Sequence, residues 1–200
     1  MKKEFVPYDV VRDNALKLGW QIAQSGFIPD VIYVSLRGGA YLGNILSEYF
    51  KVWRKGDRPV FYAAVVAHSY TDIREHTSIR IDGWTYSPDY LRVGDKVLFV
   101  DDIFDTGRTI NHLVNVILQR GLPRQDVKVA VHDYKVFADC EPLPISPDFY
   151  CRRHDVASRD QDPWIHYLSH ELIGLTLEER KKWYVRNDPD MEEALSVFDR

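Results

Sequence analysis

The chain has 200 residues, 45% of them hydrophobic, 13% aromatic and 28% charged, with a formal charge of -4 at pH 7. That length suits one α/β domain with a full core and is short for two. No apolar run approaches the ~18 residues of a membrane span, and net acidity removes a general case for nucleic-acid binding while leaving room for one small basic pocket.

The opening stretch, MKKEFVPYDVVRDN, holds two lysines but no apolar core of signal-peptide length, so a cytoplasmic location is the expectation. In YDVVRDNALKLGWQIAQSG, Val11, Ala15, Leu18 and Ile22 recur at helical spacing, with Asp9 available as a cap and Gly26 near the stop. DVIYVSLRGG reads as a buried β-branched strand running into a glycine turn, and AYLGNILSEYF resumes the helical period. The unit repeats: RPVFYAAVVA is a strand, KVLFVDD is another leading into the helix TINHLVNVILQRG, and DVKVAVHDY is a further strand. Strands alternating with helices imply a parallel sheet with right-handed crossovers, in which ligands bind beyond the carboxyl ends of the strands.

The stretch 68–95 is mostly polar and lacks clear periodicity, so it is either a mobile functional loop or a hairpin excursion. The tail from Leu175 carries a capping box, Thr176 to Glu179, and a second helix start at Asp188-Pro189, which predicts two short helices. Residues 1–175 are expected to form the main domain and 176–200 a helical extension packed on it. Cys140 and Cys151 form no CxxC and read as packed thiols.

The chemistry concentrates in VLFVDDIFDTGRTI. A hydrophobic strand ending in Asp101 and Asp102, with Asp105 close behind, gathers like charges that repel unless something binds them. Thr106 to Thr109 then supply two hydroxyls, a glycine and the first amides of a helix, a setting suited to phosphate. A capped helix start would explain the threonines alone but not the acids before them. The GxxxxGK[ST] of a phosphate P-loop is absent, which excludes that ATPase class.

This strand-acid-acid-DTGxT pattern resembles the diphosphoribose-diphosphate signature of the type I phosphoribosyltransferases, and the β-α order from about Ile32 to Tyr134 agrees with that fold. The resemblance implies an α/β parallel-sheet fold with a small hood, and 5-phosphoribosyl 1-diphosphate as donor. It places Asp101 and Asp102 near the ribose hydroxyls and Thr106, Gly107, Arg108 and Thr109 around the 5-phosphate. Carboxylates pair with a diol and repel a phosphate, so acids and helix mouth sort the two ends of one ligand. SLRGGAYLG is similar to the pyrophosphate loop of the family, with Leu36, Arg37, Gly38 and Gly39 at the matching positions and a peptide before the basic residue that is often cis. Ser69-Tyr70 resembles the pair on the mobile loop of the purine branch.

Further likeness is to the 6-oxopurine members. Lys135 matches a lysine that contacts the exocyclic oxygen of the base, and Asp105 a carboxylate facing N7. DPWIHYLSHEL resembles the hood, with Trp164 stacking on the purine, Ile165 beside it, and Glu171 near the diphosphate and its metal. Mg²⁺, held by Asp102 and Glu171, is the implied cofactor. The hood departs from the family in length and sequence around HYLSHE. Trp164 could equally be a core residue. His166 and His170 lack a third ligand for zinc and read as two surface histidines.

The implied activity is purine salvage, transfer of the phosphoribosyl group to N9 of hypoxanthine, guanine or xanthine, with the partners phosphoribosyl diphosphate, a base and a second copy of the chain. The rivals are a regulatory protein of the same fold that senses the donor, and an enzyme for a pyrimidine base. Lys135 and Trp164 argue against both, because neither needs a purine clamp.

Overall fold

A computed structural model describes residues 2–56, 58–71, 77–186 and 188–199, with the side chains of 68–71, 77–78 and 199 outside that description. The unbroken apolar run Val97–Val100 is fully buried, as a parallel strand covered on both faces requires. It opens β5 (Val97–Phe104), which lies in a six-stranded sheet. The other strands are β2 (Val31–Leu36), β3 (Phe61–Thr71), β4 (Thr77–Trp84), β6 (Val127–Phe137) and β7 (Phe149–Val156), in the order β4-β3-β2-β5-β6-β7. All neighbours pair in parallel except β3 and β4. Within 68–95 the described residues favour the hairpin, since β3 and β4 pair antiparallel, with a bulge between Val66 and Ala67; 72–76 lie outside the described residues.

Alternation along β5 divides the core. Val97 and Phe99 join Ile110, Leu113, Val114 and Ile117 of helix α3 (Arg108–Leu118) on one face. Leu98 and Val100 face the other way, onto α1 (Tyr8–Gln24) and α2 (Ala40–Trp53), through Ala15, Leu18 and Ile22 of the first and Leu42, Leu46 and Phe50 of the second. The helical period read along α1 is thus its buried stripe. Its cap differs from the expectation: Pro7 is the N-cap, and Asp9 lies inside the first turn, where its carboxylate accepts from Val10 N at 3.0 Å.

A second sheet stands apart, made of β1 (Lys3–Val6) paired in parallel with β8 (Trp164–Tyr167). Val6, Val11, Ile165 and Tyr167 form its small core, and it makes the hood over the carboxyl ends of the main strands. Beyond it, α4 (Leu177–Arg180) carries the capping box between Thr176 and Glu179 and continues as a π-helical turn over Lys181–Val185. The short α5 (Pro189–Ala194) follows, capped by Asp188 accepting from Asp190 N. The tail rests on the hood: Lys3 Nζ meets Glu179 Oε2 at 2.6 Å, and Phe5 stacks on Trp183 with centroids 5.1 Å apart. Among the described residues no helix is long and apolar enough to cross a membrane.

Candidate active site

The strand order reverses between β2 and β5, which lie side by side with their following helices on opposite faces. The crevice beyond such a switch point is where open α/β sheets bind ligands. Both glycine loops open there, 36–39 leading into α2 and 105–107 into α3.

The loops are built by backbone proximity. A Cβ on Gly38 would fall 2.2–2.5 Å from the carboxylate atoms of Asp102, and one on Gly39 would fall 2.4 Å from the Val100 carbonyl oxygen. Gly107 has φ +72°, and a Cβ there would come 2.1 Å from the Phe104 ring, so only glycine fits that turn. The Leu36-Arg37 peptide is cis, and Arg37 is exposed on the loop. The N-cap of α3 is Gly107, which brings no capping side chain to the leading amides of the helix.

Asp101 and Asp102 end the apolar part of β5. Asp101 Oδ1 accepts from Asp102 N at 3.0 Å, and Asp102 Oδ1 accepts from Ile103 N at 2.9 Å. Burial, and then the adjacent charge of Asp102, push the Asp101 carboxyl well above the usual carboxylate range. On the hood side, His170 Nε2 lies 3.1 Å from Asp102 Oδ2. The two histidines are therefore not surface residues: His166 is 1% exposed inside the hood, and His170 stacks on Tyr167 while it contacts Asp102. Among the described residues no three His, Cys, Asp or Glu side chains gather as a metal cluster.

Asp102, Asp105, Lys135, Trp164, Ile165 and Glu171 line one cavity of about 180 Å³. The sequence reading names all six as site residues, and the fold brings them to the lining of this one cavity. Lys135 is buried on β6, where its ammonium donates to Asp162 Oδ2 at 2.7 Å and to the Pro163 carbonyl at 3.2 Å. Asp105 is exposed, yet the atoms crowded around it raise its carboxyl. Asp162 adds to the rise, and Lys135 and Arg159 oppose it. Trp164 is 47% exposed at the cavity, so it is not a core residue, whereas Ile165 is buried in the hood core. Glu171 Oε2 accepts from Tyr167 N at 3.0 Å. Leu36 ends β2 and Arg37 to Gly39 follow as one loop, while Thr106 and Gly107 lie on the other and Arg108 and Thr109 open α3. Ser69 and Tyr70 sit on β3, opposite Ile79 and Ser78, but their side chains lie outside the described structure.

Three contributors escaped the sequence reading. Asp133 is fully buried on β6, and its carboxylate accepts from His132 Nδ1 at 2.6 Å, His154 Nε2 at 2.6 Å, Arg152 Nε at 2.7 Å and the Tyr167 hydroxyl. The Tyr167 hydroxyl also lies 3.0 Å from the Asp102 carbonyl, tying the hood to β5. Asp162 is the partner of Lys135, and His170 that of Asp102. An acid inside the apolar run VKVAVHDY was the available signal for Asp133, since a buried carboxylate needs partners. Asp162 opens the segment DPWIHYLSHEL, directly before the Pro-Trp pair, and the sequence reading gave it no role.

With this geometry in place, comparison with known proteins is direct. The family description "Phosphoribosyl transferase domain" matches residues 9–135. The bifunctional protein PyrR of Microcystis aeruginosa is 27% identical over 161 residues, covering 79% of this chain and 86% of that protein. The crystal structure of a purine phosphoribosyltransferase from Pyrococcus horikoshii superposes with a TM-score of 0.64 at 21% identity, covering 88% of this chain and 99% of that one. A hypothetical protein from Neisseria gonorrhoeae, solved with bound ppGpp, gives 0.62 at 18% identity over 100% of this chain and 99% of its own.

Proposed function

The chain belongs to the phosphoribosyl transferase domain family, and from that premise we propose that it transfers the 5-phosphoribosyl group of phosphoribosyl diphosphate to N9 of a 6-oxopurine. Diphosphate and a nucleoside monophosphate are the products, the chemistry of purine salvage. One observation carries the reading: the buried ammonium of Lys135, the carboxylate of Asp105 and the indole of Trp164 line the same cavity as Asp102. A donor-only group, an acid and an aromatic face are what an oxopurine presents partners for.

In this reading the loop Leu36, Arg37, Gly38 and Gly39 holds the diphosphate through backbone and guanidinium, while Thr106 to Thr109 and the uncapped mouth of α3 hold the 5-phosphate. Asp101 and Asp102 take the ribose hydroxyls, and Ser69 and Tyr70 approach from the β3 hairpin. As the bond from C1 to the diphosphate oxygen weakens, positive charge develops on the ribose, and the carboxylate of Asp102 favours it. Asp105 faces N7 and accepts or shares its proton as N9 becomes the nucleophile and forms the new bond to C1. Lys135 donates to the 6-oxo oxygen, and Trp164 with Ile165 confines the ring.

Asp102 and Glu171 both line the cavity, and two carboxylates beside a diphosphate are the hard oxygen set that Mg²⁺ takes, so the residues fit this ion. Bound there, the ion would neutralise charge on the leaving diphosphate.

The test is diphosphate release by the purified protein with Mg²⁺ and the donor, using adenine, hypoxanthine, guanine, xanthine, uracil and orotate in turn. Release with 6-oxopurines alone is the expected result; release confined to adenine or a pyrimidine contradicts the reading. Likeness to a protein named as bifunctional favours one second reading, in which the pocket senses the donor and regulates. Tight donor binding with no release from any base would support that alternative.

A further inference from the structure

We propose that Asp162 is a specificity-determining residue of the acceptor pocket, reading the N1 hydrogen and the 2-amino group of the base, so that guanine is preferred and xanthine disfavoured. This rests on the 6-oxopurine reading above and deepens it. Asp162 precedes β8 and shares the cavity of about 180 Å³ with Lys135, Asp105 and Trp164. Its side chain is 20% exposed, and its two oxygens lie 2.6 and 2.7 Å from Lys135 Nζ. Oδ2 is aligned as a hydrogen bond, while the buried Oδ1 is held against the ammonium as an ion-pair contact. Lys135 in turn donates to Oδ2 and to the Pro163 carbonyl, which uses two of the three N–H groups of an ammonium. The pair thus sets a donor-only group and an acceptor-only group side by side in the lining of the cavity.

That pattern is complementary to a lactam edge, where a carbonyl oxygen stands next to an N–H. Lys135 addresses the 6-oxo oxygen, and Asp162 accepts from N1–H. The 6-oxopurines differ at the next atom along that edge. Hypoxanthine has a carbon-bound hydrogen at C2, guanine an amino group, and xanthine an oxygen. A carboxylate can accept from N1–H and the 2-amino group together, but it meets the 2-oxo oxygen of xanthine acceptor to acceptor. Each satisfied charge-assisted hydrogen bond corresponds to about ten- to a hundredfold in specificity, and an unpaired acceptor costs a similar factor.

A role confined to holding Lys135 in place makes a different prediction, because all three bases share the 6-oxo oxygen and would suffer alike. The experiment is kcat/KM for guanine, hypoxanthine and xanthine with the wild type and Asp162→Asn, alongside calorimetric affinities for the corresponding monophosphates of guanine and xanthine, which need no turnover. Wild type should favour guanine over xanthine by about a hundredfold or more. Asp162→Asn, whose amide can donate to a 2-oxo oxygen, should lower guanine by about tenfold or more, lower hypoxanthine less, and raise xanthine. An unchanged guanine-to-xanthine ratio in both turnover and binding, an equal loss on all three bases, or a wild type that uses xanthine as well as guanine would overturn the role of Asp162 while leaving the 6-oxopurine reading intact. Failure of the wild type to use or bind any of the three would overturn that reading, and this one with it.

Discussion

The donor loops and the hood are held together by different means. At the donor end, glycines let backbone and carboxylate approach to distances that a Cβ would forbid, as at Gly38 against Asp102 and Gly39 against Val100, and each loop is a few consecutive residues. The hood is built from side chains brought together from far along the chain. Asp133 gathers His132, His154, Arg152 and Tyr167; Arg152 continues to Glu4 at 2.5 Å, and Lys3 reaches Glu179. Damage to the hood should therefore cost base choice more than donor binding, to which the hood offers Glu171 and the contact of His170 with Asp102. The family match ends at Lys135, so Asp162, Trp164 and Ile165, three of the residues proposed to read the base, lie beyond it.

The largest effect should come from Asp133→Ala. The change leaves Arg152 and two histidines around a buried vacancy, and breaking such a buried pair typically costs about 3–5 kcal/mol. Urea unfolding at neutral pH measures this loss, and a value within about 1 kcal/mol of wild type would mean the hood does not depend on the network. The sign with pH also follows. Burial alone would raise the Asp133 carboxyl, but hydrogen bonds from His132 and Arg152, with that of Tyr167, hold it well below the usual carboxylate range. A depressed folded value gives stabilisation that is complete above the unfolded value of about 3.9 and is lost as pH falls toward the folded one. The gap between wild type and variant should narrow in acid.

Asp105→Asn keeps the shape of the side chain and removes the charge proposed to assist N7. Turnover should fall by about 10²-fold or more, with donor affinity little changed and the fold intact. Rapid-quench turnover and calorimetric donor binding separate the two; a parallel loss in both would place Asp105 in the donor end. Trp164→Ala should act more mildly, weakening all purines alike by about three- to tenfold, because stacking reads the ring face and not its substituents. Unequal losses among hypoxanthine, guanine and adenine would show that Trp164 does more than stack.

The same contrast explains what could be read from the chain. Val97 to Thr109 was legible because strand, acids, turn glycine and helix mouth are contiguous, and Val11, Ala15, Leu18 and Ile22 announced α1 because its buried stripe repeats locally. Thr176 and Glu179 likewise form the expected capping box within one turn. The strand β1 was not legible: it is four residues long and exists by pairing with β8, about 160 residues away. His166 and His170 read as surface residues because the partners that bury or engage them, the hood core and Asp102, are set by tertiary contacts. Asp162 acquires meaning only beside Lys135, 27 positions earlier.

Selectivity between hypoxanthine and adenine in wild type and Lys135→Ala tests the central claim most directly. Lys135 has donors only, so it satisfies a 6-oxo oxygen and meets the 6-amino group of adenine donor to donor. Wild type should strongly favour hypoxanthine, and the variant should lose about ten- to a hundredfold in kcat/KM with hypoxanthine while its poor rate with adenine barely changes. A wild type that prefers adenine, or a variant that loses equally on both bases, would contradict the account of the acceptor end.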